Sequence, residues 1–202
     1  MENMTEIESI ALFDLDGTLC DHDKGLYQAL ESIKSPNEPS YRNLFDESIP
    51  EYIKRRADII RTPSSWWRNL EKFKLGWDVL EVGKSLGFNI MILTQGPKKF
   101  PDSWKGKKEW VDKYLGSETD ITITRDKGAV YGKVLVDDFP GYVERWLSWR
   151  DRGLVIMPAN EGNKNFSHPQ VIRYDGSNLE VVKKAMEKAR YRKRGEKINF
   201  LD

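Results

Sequence analysis

Cysteine is almost absent. The one thiol, Cys20, excludes an internal disulfide and fits a reducing compartment. Histidine is nearly as scarce: His22 and His168 stand far apart in sequence, which argues against a multi-histidine zinc site. An excess of one charge is missing too. Lys and Arg number 33 against 32 Asp and Glu, a net charge of +1, so no overall field selects nucleic acid or a membrane surface. The longest apolar runs, such as Asn89 to Leu93, are far too short to span a bilayer. The opening residues, MENMTEIES, are acidic and polar, unlike a secretory leader. There is no internal repeat. These absences leave a soluble, cytoplasmic protein as the expectation.

What is present is a core. Of 202 residues, 39% are hydrophobic, enough for one domain with an elaboration. Four short apolar runs stop at polar residues and read as buried parallel strands: Ile10 to Phe13 before Asp14, Asn89 to Leu93 before Thr94, Lys133 to Val136 before Asp137, and Leu154 to Met157 before Pro158. Ile121 to Thr124 is a weaker fifth. Helical patterns at Gly76–Leu86, Lys107–Leu115, Tyr142–Arg152 and Ser177–Arg190 alternate with them. Strand–helix alternation predicts an α/β fold with a doubly wound, mostly parallel sheet. The stretch from Cys20 to Lys74 breaks the rhythm, with helices at Lys24–Ser32 and Ile49–Ile60 around a proline-rich joint, Ser35 to Pro39. It predicts a small helical cap (20–74) inserted after the first strand of a core made of 1–19 and 75–202.

Ligands of doubly wound sheets bind at the carboxyl ends of the strands, and the unusual residues all fall there. Asp14-Leu15-Asp16-Gly17-Thr18 follows the first strand. A carboxylate fixed at a strand end can attack phosphorus in line, and a second one two residues on can protonate the leaving oxygen and then activate water. Gly17 lets the chain turn sharply off the strand. Thr94, with the following Gln95, ends the second strand, where a hydroxyl and a backbone N–H can hold a phosphate oxygen. Lys105, Lys107 and Lys108 open a helix and offer an ammonium to neutralise phosphate. The adjacent acids Asp137 and Asp138 repel each other unless a divalent cation lies between them and Asp14.

In this order, the four signals resemble the haloacid dehalogenase superfamily, over Ile10 to about Pro158. Within it, Trp67-Arg68-Asn69-Leu70-Glu71, Lys107 to Gly116 and Val134 to Pro140 are similar to the 5'(3')-deoxyribonucleotidase group. The resemblance implies a phosphomonoesterase working through an aspartyl-phosphate. It makes Asp14 the nucleophile, Asp16 the acid and base, and Lys107 the motif lysine. Mg2+ would be held by Asp14, the Asp16 carbonyl and one or both of Asp137 and Asp138. Two departures stand out: the group often has Val where Thr18 stands and Ser where Gln95 stands. Gln95, Trp66, Trp67 and Arg68 are candidate substrate contacts, the rings as stacking platforms for a base. Trp77 and Trp110 read as core, and Trp146 with Trp149, three apart, as one buried helix face.

The expected partner is a small phosphate monoester, a (deoxy)nucleoside monophosphate. A polynucleotide 3'-phosphatase uses the same core, but the near-neutral charge argues against nucleic acid. A general small-molecule phosphatase is the other enzyme reading. A catalytically silent binding module has no chemical reason to keep two acids side by side. The sequence leaves room for a homo-oligomer.

Overall fold

The computed structural model describes residues 9–41, 48–193, 196 and 199–200. Most of the acidic opening, and Arg194, Gly195 and Lys197 of the basic tail, lie outside the described residues. Chain order runs β1 (Ile10–Phe13), α1 (His22–Ser32), α2 (Glu51–Ile60), α3 (Ser64–Arg68), α4 (Lys74–Ser85), β2 (Asn89–Gln95), α5 (Asp102–Leu115), β3 (Asp120–Thr124), β4 (Val134–Val136), α6 (Pro140–Leu147), β5 (Leu154–Pro158), β6 (Val171–Tyr174) and α7 (Leu179–Tyr191).

The strands form one sheet in the order β3-β2-β1-β4-β5-β6, and every neighbouring pair is parallel. The central strands β1, β4 and β5 bury side chains on both faces, as continuous apolar runs in a covered parallel sheet must. On one face Leu12, Leu93, Leu135, Val155 and Met157 pack with Val143, Trp146 and Leu147 of α6. On the other, Gly83 of α4 lies against Phe13, Ile90 and Met186 of α7. Strand order reverses between β1 and β4, the crevice in which such sheets take their ligands.

Two expectations are corrected. Val171–Tyr174 is a sixth strand that the apolar pattern did not mark, because Arg173 interrupts a run of four. The expected helix Tyr142–Arg152 ends at Leu147, so helical spacing no longer relates Trp149 to Trp146. Trp146 is fully buried, whereas Trp149 is 68% exposed.

The residues group into two compact units. One contains the sheet and comprises Met1–Cys20, Lys72–Gln95 and Thr119–Asp202; the other is helical and comprises Asp21–Glu71 and Gly96–Glu118. The helical unit thus takes in 96–118 as well as the insertion after β1. The reason is close packing of α5 on α3. A Cβ on Gly106 would lie 2.4 Å from the Ser64 carbonyl oxygen, and Trp110 Nε1 donates to the Leu70 carbonyl at 2.9 Å. Leu26, Leu30, Ile49, Ile53 and Ala57 form this unit's core.

Candidate active site

Asp14 is the first residue past β1, and its backbone N–H donates to the Val136 carbonyl of β4 at 2.9 Å. The nucleophile candidate is therefore tied to the strand that delivers the acid pair. The chain then folds tightly: Leu19 and Cys20 both donate to the Leu15 carbonyl at 2.8 Å. Gly17 has φ +75°, and a Cβ there would fall 2.5 Å from Asp138 Oδ2. Conformation and lack of space both require glycine. Gly76, in the first turn of α4, leaves no more room: a Cβ would stand 1.8 Å from the Thr18 carbonyl oxygen. Asp16 accepts a long hydrogen bond from the Cys20 thiol at 3.6 Å.

The cation beside Asp14 is Lys127. Its ammonium lies 2.8 Å from Asp14 Oδ1 and 2.6 Å from Asp137 Oδ2, and all three side chains are buried. Burial alone would lower the Lys127 pKa, but the Asp137 and Asp14 carboxylates outweigh it and hold the ammonium above the ordinary lysine value. Burial pushes the Asp137 carboxyl up to about 6, against the pull of Lys127 and with the push of Asp14. Lys127 opens a short 3-10 turn, Lys127–Ala129, whose start is capped by Asp126 accepting from the Gly128 N–H at 2.9 Å. Arg145 grips Asp126 at 3.1 and 2.6 Å. Arg150 holds the far side, donating to the carbonyls of Gly128 at 2.7 Å and Val130 at 2.6 Å.

Asp137 also accepts the Phe139 N–H at 3.0 Å. Asp138 is held by Thr18, whose hydroxyl donates to Oδ1 at 3.2 Å, and by the Asn160 amide, which donates to Oδ2 at 2.8 Å. Asn160 and Asn163 cap a turn after β5 reciprocally, and Asn163 Nδ2 donates to the Asp138 carbonyl at 3.0 Å. Arg173 of β6 fixes that turn through Asn163 Oδ1 at 3.0 Å. One oxygen each of Asp14, Asp137 and Asp138 lies within 4.8 Å of the others. Three carboxyl groups share one ammonium there. Hard oxygen donors in acidic excess fit a divalent cation such as Mg2+.

Thr94 is fully buried at the end of β2. The Tyr142 hydroxyl of α6 donates to Gln95 Oε1, and the Tyr142 ring receives the Lys127 ammonium 4.6 Å from its centroid.

The remaining candidates belong to the helical unit. Lys107 is buried on α5 with its ammonium 5.2 Å from the Trp67 ring centroid. Trp67 is 3% exposed and its Nε1 donates to the Arg61 carbonyl at 2.7 Å, so it is a core ring. Trp66 is half-buried, edge-on to Trp67 at 4.9 Å and to His22 at 5.3 Å. It lines a cavity of about 410 Å3 together with Gln28, Asn69 and Glu71. Arg68 is exposed, 3.5 Å from Glu109.

The structure thus brings Asp14, Asp137 and Asp138 together and supplies residues that sequence reasoning missed: Lys127, Tyr142, Asn160 and Asn163. For Lys127 there was a signal, a lysine in the polar stop Arg125-Asp126-Lys127 after the weak strand β3.

Known proteins share this sequence pattern. A Bordetella bronchiseptica protein named provisionally as a 5'(3')-deoxyribonucleotidase is 26% identical over 140 residues, which span 65% of this chain and 74% of that one. The human cytosolic-type 5'(3')-deoxyribonucleotidase is 27% identical over 140 residues, 63% of this chain and 69% of its own. A solved HAD family hydrolase from Deinococcus radiodurans R1, with bound phosphate and sodium, is 12% identical; the match covers 86% of this chain and 87% of that one, with a TM-score of 0.46. The family model described as 5' nucleotidase, deoxy (pyrimidine), cytosolic type C protein matches residues 8–175. That span takes in all six strands, the Asp14–Thr18 loop and the acid pair, and the chain accordingly belongs to this family of phosphoric monoester hydrolases.

Proposed function

We propose that the protein dephosphorylates (deoxy)nucleoside monophosphates in a magnesium-dependent reaction through an aspartyl-phosphate on Asp14. The observation that carries the reading is the convergence of the Asp14, Asp137 and Asp138 oxygens within 4.8 Å, with a buried ammonium on two of them. In the first step an Asp14 carboxylate oxygen attacks phosphorus, and the bond from phosphorus to the nucleoside oxygen breaks. Asp16 gives that oxygen its proton. In the second step Asp16 takes a proton from water as the water oxygen attacks the phosphorus of the acyl phosphate. Inorganic phosphate leaves and the Asp14 carboxylate is restored.

Lys127 orients Asp14 and offsets its charge as the anionic substrate approaches. The Thr94 hydroxyl and the backbone N–H after it hold a phosphoryl oxygen. Mg2+ would be held by Asp14, the Asp16 carbonyl, and Asp137 and Asp138, and supplies neutralisation of the phosphoryl charge. In the helical unit, Lys107 and Arg68 are proposed phosphate or base contacts. Trp66 is the proposed base platform, because it lines a cavity while Trp67 spends its N–H inside the core.

The test is phosphate release from p-nitrophenyl phosphate, nucleoside monophosphates, sugar phosphates and 3'-phosphorylated oligonucleotides. Activity should need magnesium, vanish with chelator and be inhibited by calcium, whose looser coordination misplaces the attacking carboxylate. Nucleoside monophosphates should be preferred; full activity in excess chelator would overturn the metal assignment.

A further inference from the structure

We infer that Arg150 is a positioning residue for phosphoryl transfer, acting through Lys127 by bracing the backbone of the 127–129 turn; the inference rests on the phosphatase reading above. A lysine is hard to place. Its ammonium is a point charge at the end of a flexible four-carbon stem and lacks the planar fork of a guanidinium. Lys127 nevertheless sets one ammonium against two buried carboxylates, 2.8 Å from Asp14 and 2.6 Å from Asp137. That reach repeats only if the backbone at its root is fixed. Lys127 opens a turn of three residues, so the fixing has to come from outside the turn.

Arg150 supplies it. Its Nη1 donates to the Gly128 carbonyl at 2.7 Å and the Trp146 carbonyl at 3.2 Å, and its Nη2 to the Val130 carbonyl at 2.6 Å. The guanidinium lies over the fully buried Trp146 ring, 4.9 Å from its centroid, and Trp146 Nε1 donates to the same Val130 carbonyl at 3.1 Å. The carbonyls on both sides of Ala129 are thus held by one fork resting on one core ring. Among the described residues no carboxylate pairs with Arg150, and burial holds its pKa below the ordinary arginine value. A partly desolvated cation without an opposite charge is a weak source of stability; what the fork adds is geometry. The Arg145–Asp126 pair on the other side of the turn is about half exposed, where water competes for it. Placement in the chain agrees. Pro140, two residues after Asp138, starts α6, and Arg150 follows its end. The segment that carries the acid pair at one end carries the brace for its cation at the other.

A double-mutant cycle tests this, read as kcat for p-nitrophenyl phosphate in saturating magnesium. Arg150→Lys and Arg150→Met are each made in the wild-type and in the Lys127→Met background. Arg150→Lys keeps the charge and the stem and loses only the fork. It should lower kcat by about three- to tenfold, and Arg150→Met by about ten- to a hundredfold, the cost of misplacing a catalytic group by up to about 1 Å, with KM changing less. Once Lys127 is Met, neither should lower kcat by more than about a further twofold, whereas the loss of urea stability should persist. The same fold loss of kcat in both backgrounds, or full kcat in Arg150→Lys, overturns the inference and makes Arg150 a packing residue. A readout that needs no turnover is the side-chain ammonium resonance of isotopically labelled lysine. The buried Lys127 ammonium should give a slowly exchanging signal, identified by its loss in Lys127→Met, and Arg150→Lys should shift or broaden it. An unmoved signal also overturns the inference. A wild-type protein that releases no phosphate while the signal responds overturns the phosphatase reading and leaves the brace.

Discussion

The side-chain amide of Asn160 donates to Oδ2 of Asp138 at 2.8 Å, joining the turn after β5 to the acid pair after β4. Thr18 takes the other oxygen of the same carboxylate at 3.2 Å, so Asp138 is aimed from both sides. Partners of this kind set the orientation of a metal ligand and typically matter 10–100-fold for metal affinity. Asn160→Ala should raise the magnesium concentration for half-maximal activity by about 10–100-fold, with most turnover recovered at saturation. An unchanged magnesium titration would remove Asn160 from this role.

Lys127→Met leaves Asp14 and Asp137 buried, close together and without their cation. Losing one partner of a buried pair costs about 3–5 kcal/mol. Urea denaturation in chelator should show a loss of that order, and magnesium should narrow the gap, because a cation held by Asp14, Asp137 and Asp138 together would bind only the folded form. A loss under about 1 kcal/mol, the worth of an exposed pair, would mean that water screens these groups.

Asp14→Asn removes the proposed nucleophile. Turnover should fall by on the order of a thousandfold or more while the thermal melt stays cooperative. Asp16→Asn should separate substrates instead. p-Nitrophenolate leaves with little protonation, so the first chemical step should suffer less for p-nitrophenyl phosphate than for a nucleotide. Rapid-quench kinetics reads that step; equal losses for both substrates would make Asp16 structural.

Trp66→Leu probes the helical unit. Base stacking is worth roughly 1–3 kcal/mol, so KM for nucleoside monophosphates should rise by about tenfold or more. p-Nitrophenyl phosphate should be less affected. If the variant only melts earlier and keeps its preference for nucleotides over sugar phosphates, Trp66 is a packing residue and a general small-molecule phosphatase becomes the better description.

The sheet was largely legible from sequence because buried parallel strands are unbroken apolar runs with polar ends, as Leu12, Ile92, Leu135 and Ile156 illustrate. Asp14, Asp137 and Asp138 could be read for the same reason: they are those polar ends. Lys127 could not. Its place beside Asp14 follows from strand order, since β3 lies at the sheet edge and the chain must cross back to put β4 next to β1. Lys127 lies on that return path, and the polar stop Arg125-Asp126-Lys127 marks only a strand end, not what the ammonium will meet. Asn160 and Asn163 lie in the turn after β5, and only the tertiary fold gives one of them a carboxylate. The amphipathic pattern of Lys107–Leu115 showed a helix but not what its buried face would meet, which turned out to be α3, through Gly106 and Trp110.

Strand order also governs when in the chain's synthesis this chemistry can begin. Thr18 and Asp138, which share a hydrogen bond, are 120 positions apart, and Asn160 is made later still. A ribosome delivers Asp14 long before the residues that orient its neighbours, and contacts of such separation form late and slowly. A nascent or prematurely released chain lacking β4 and the turn after β5 carries the nucleophile motif without its acid pair. Phosphate release from stalled or truncated chains should therefore appear only once the acid pair, the turn after β5 and Arg173 of β6 have all emerged, which makes activity a clock for completion of the fold.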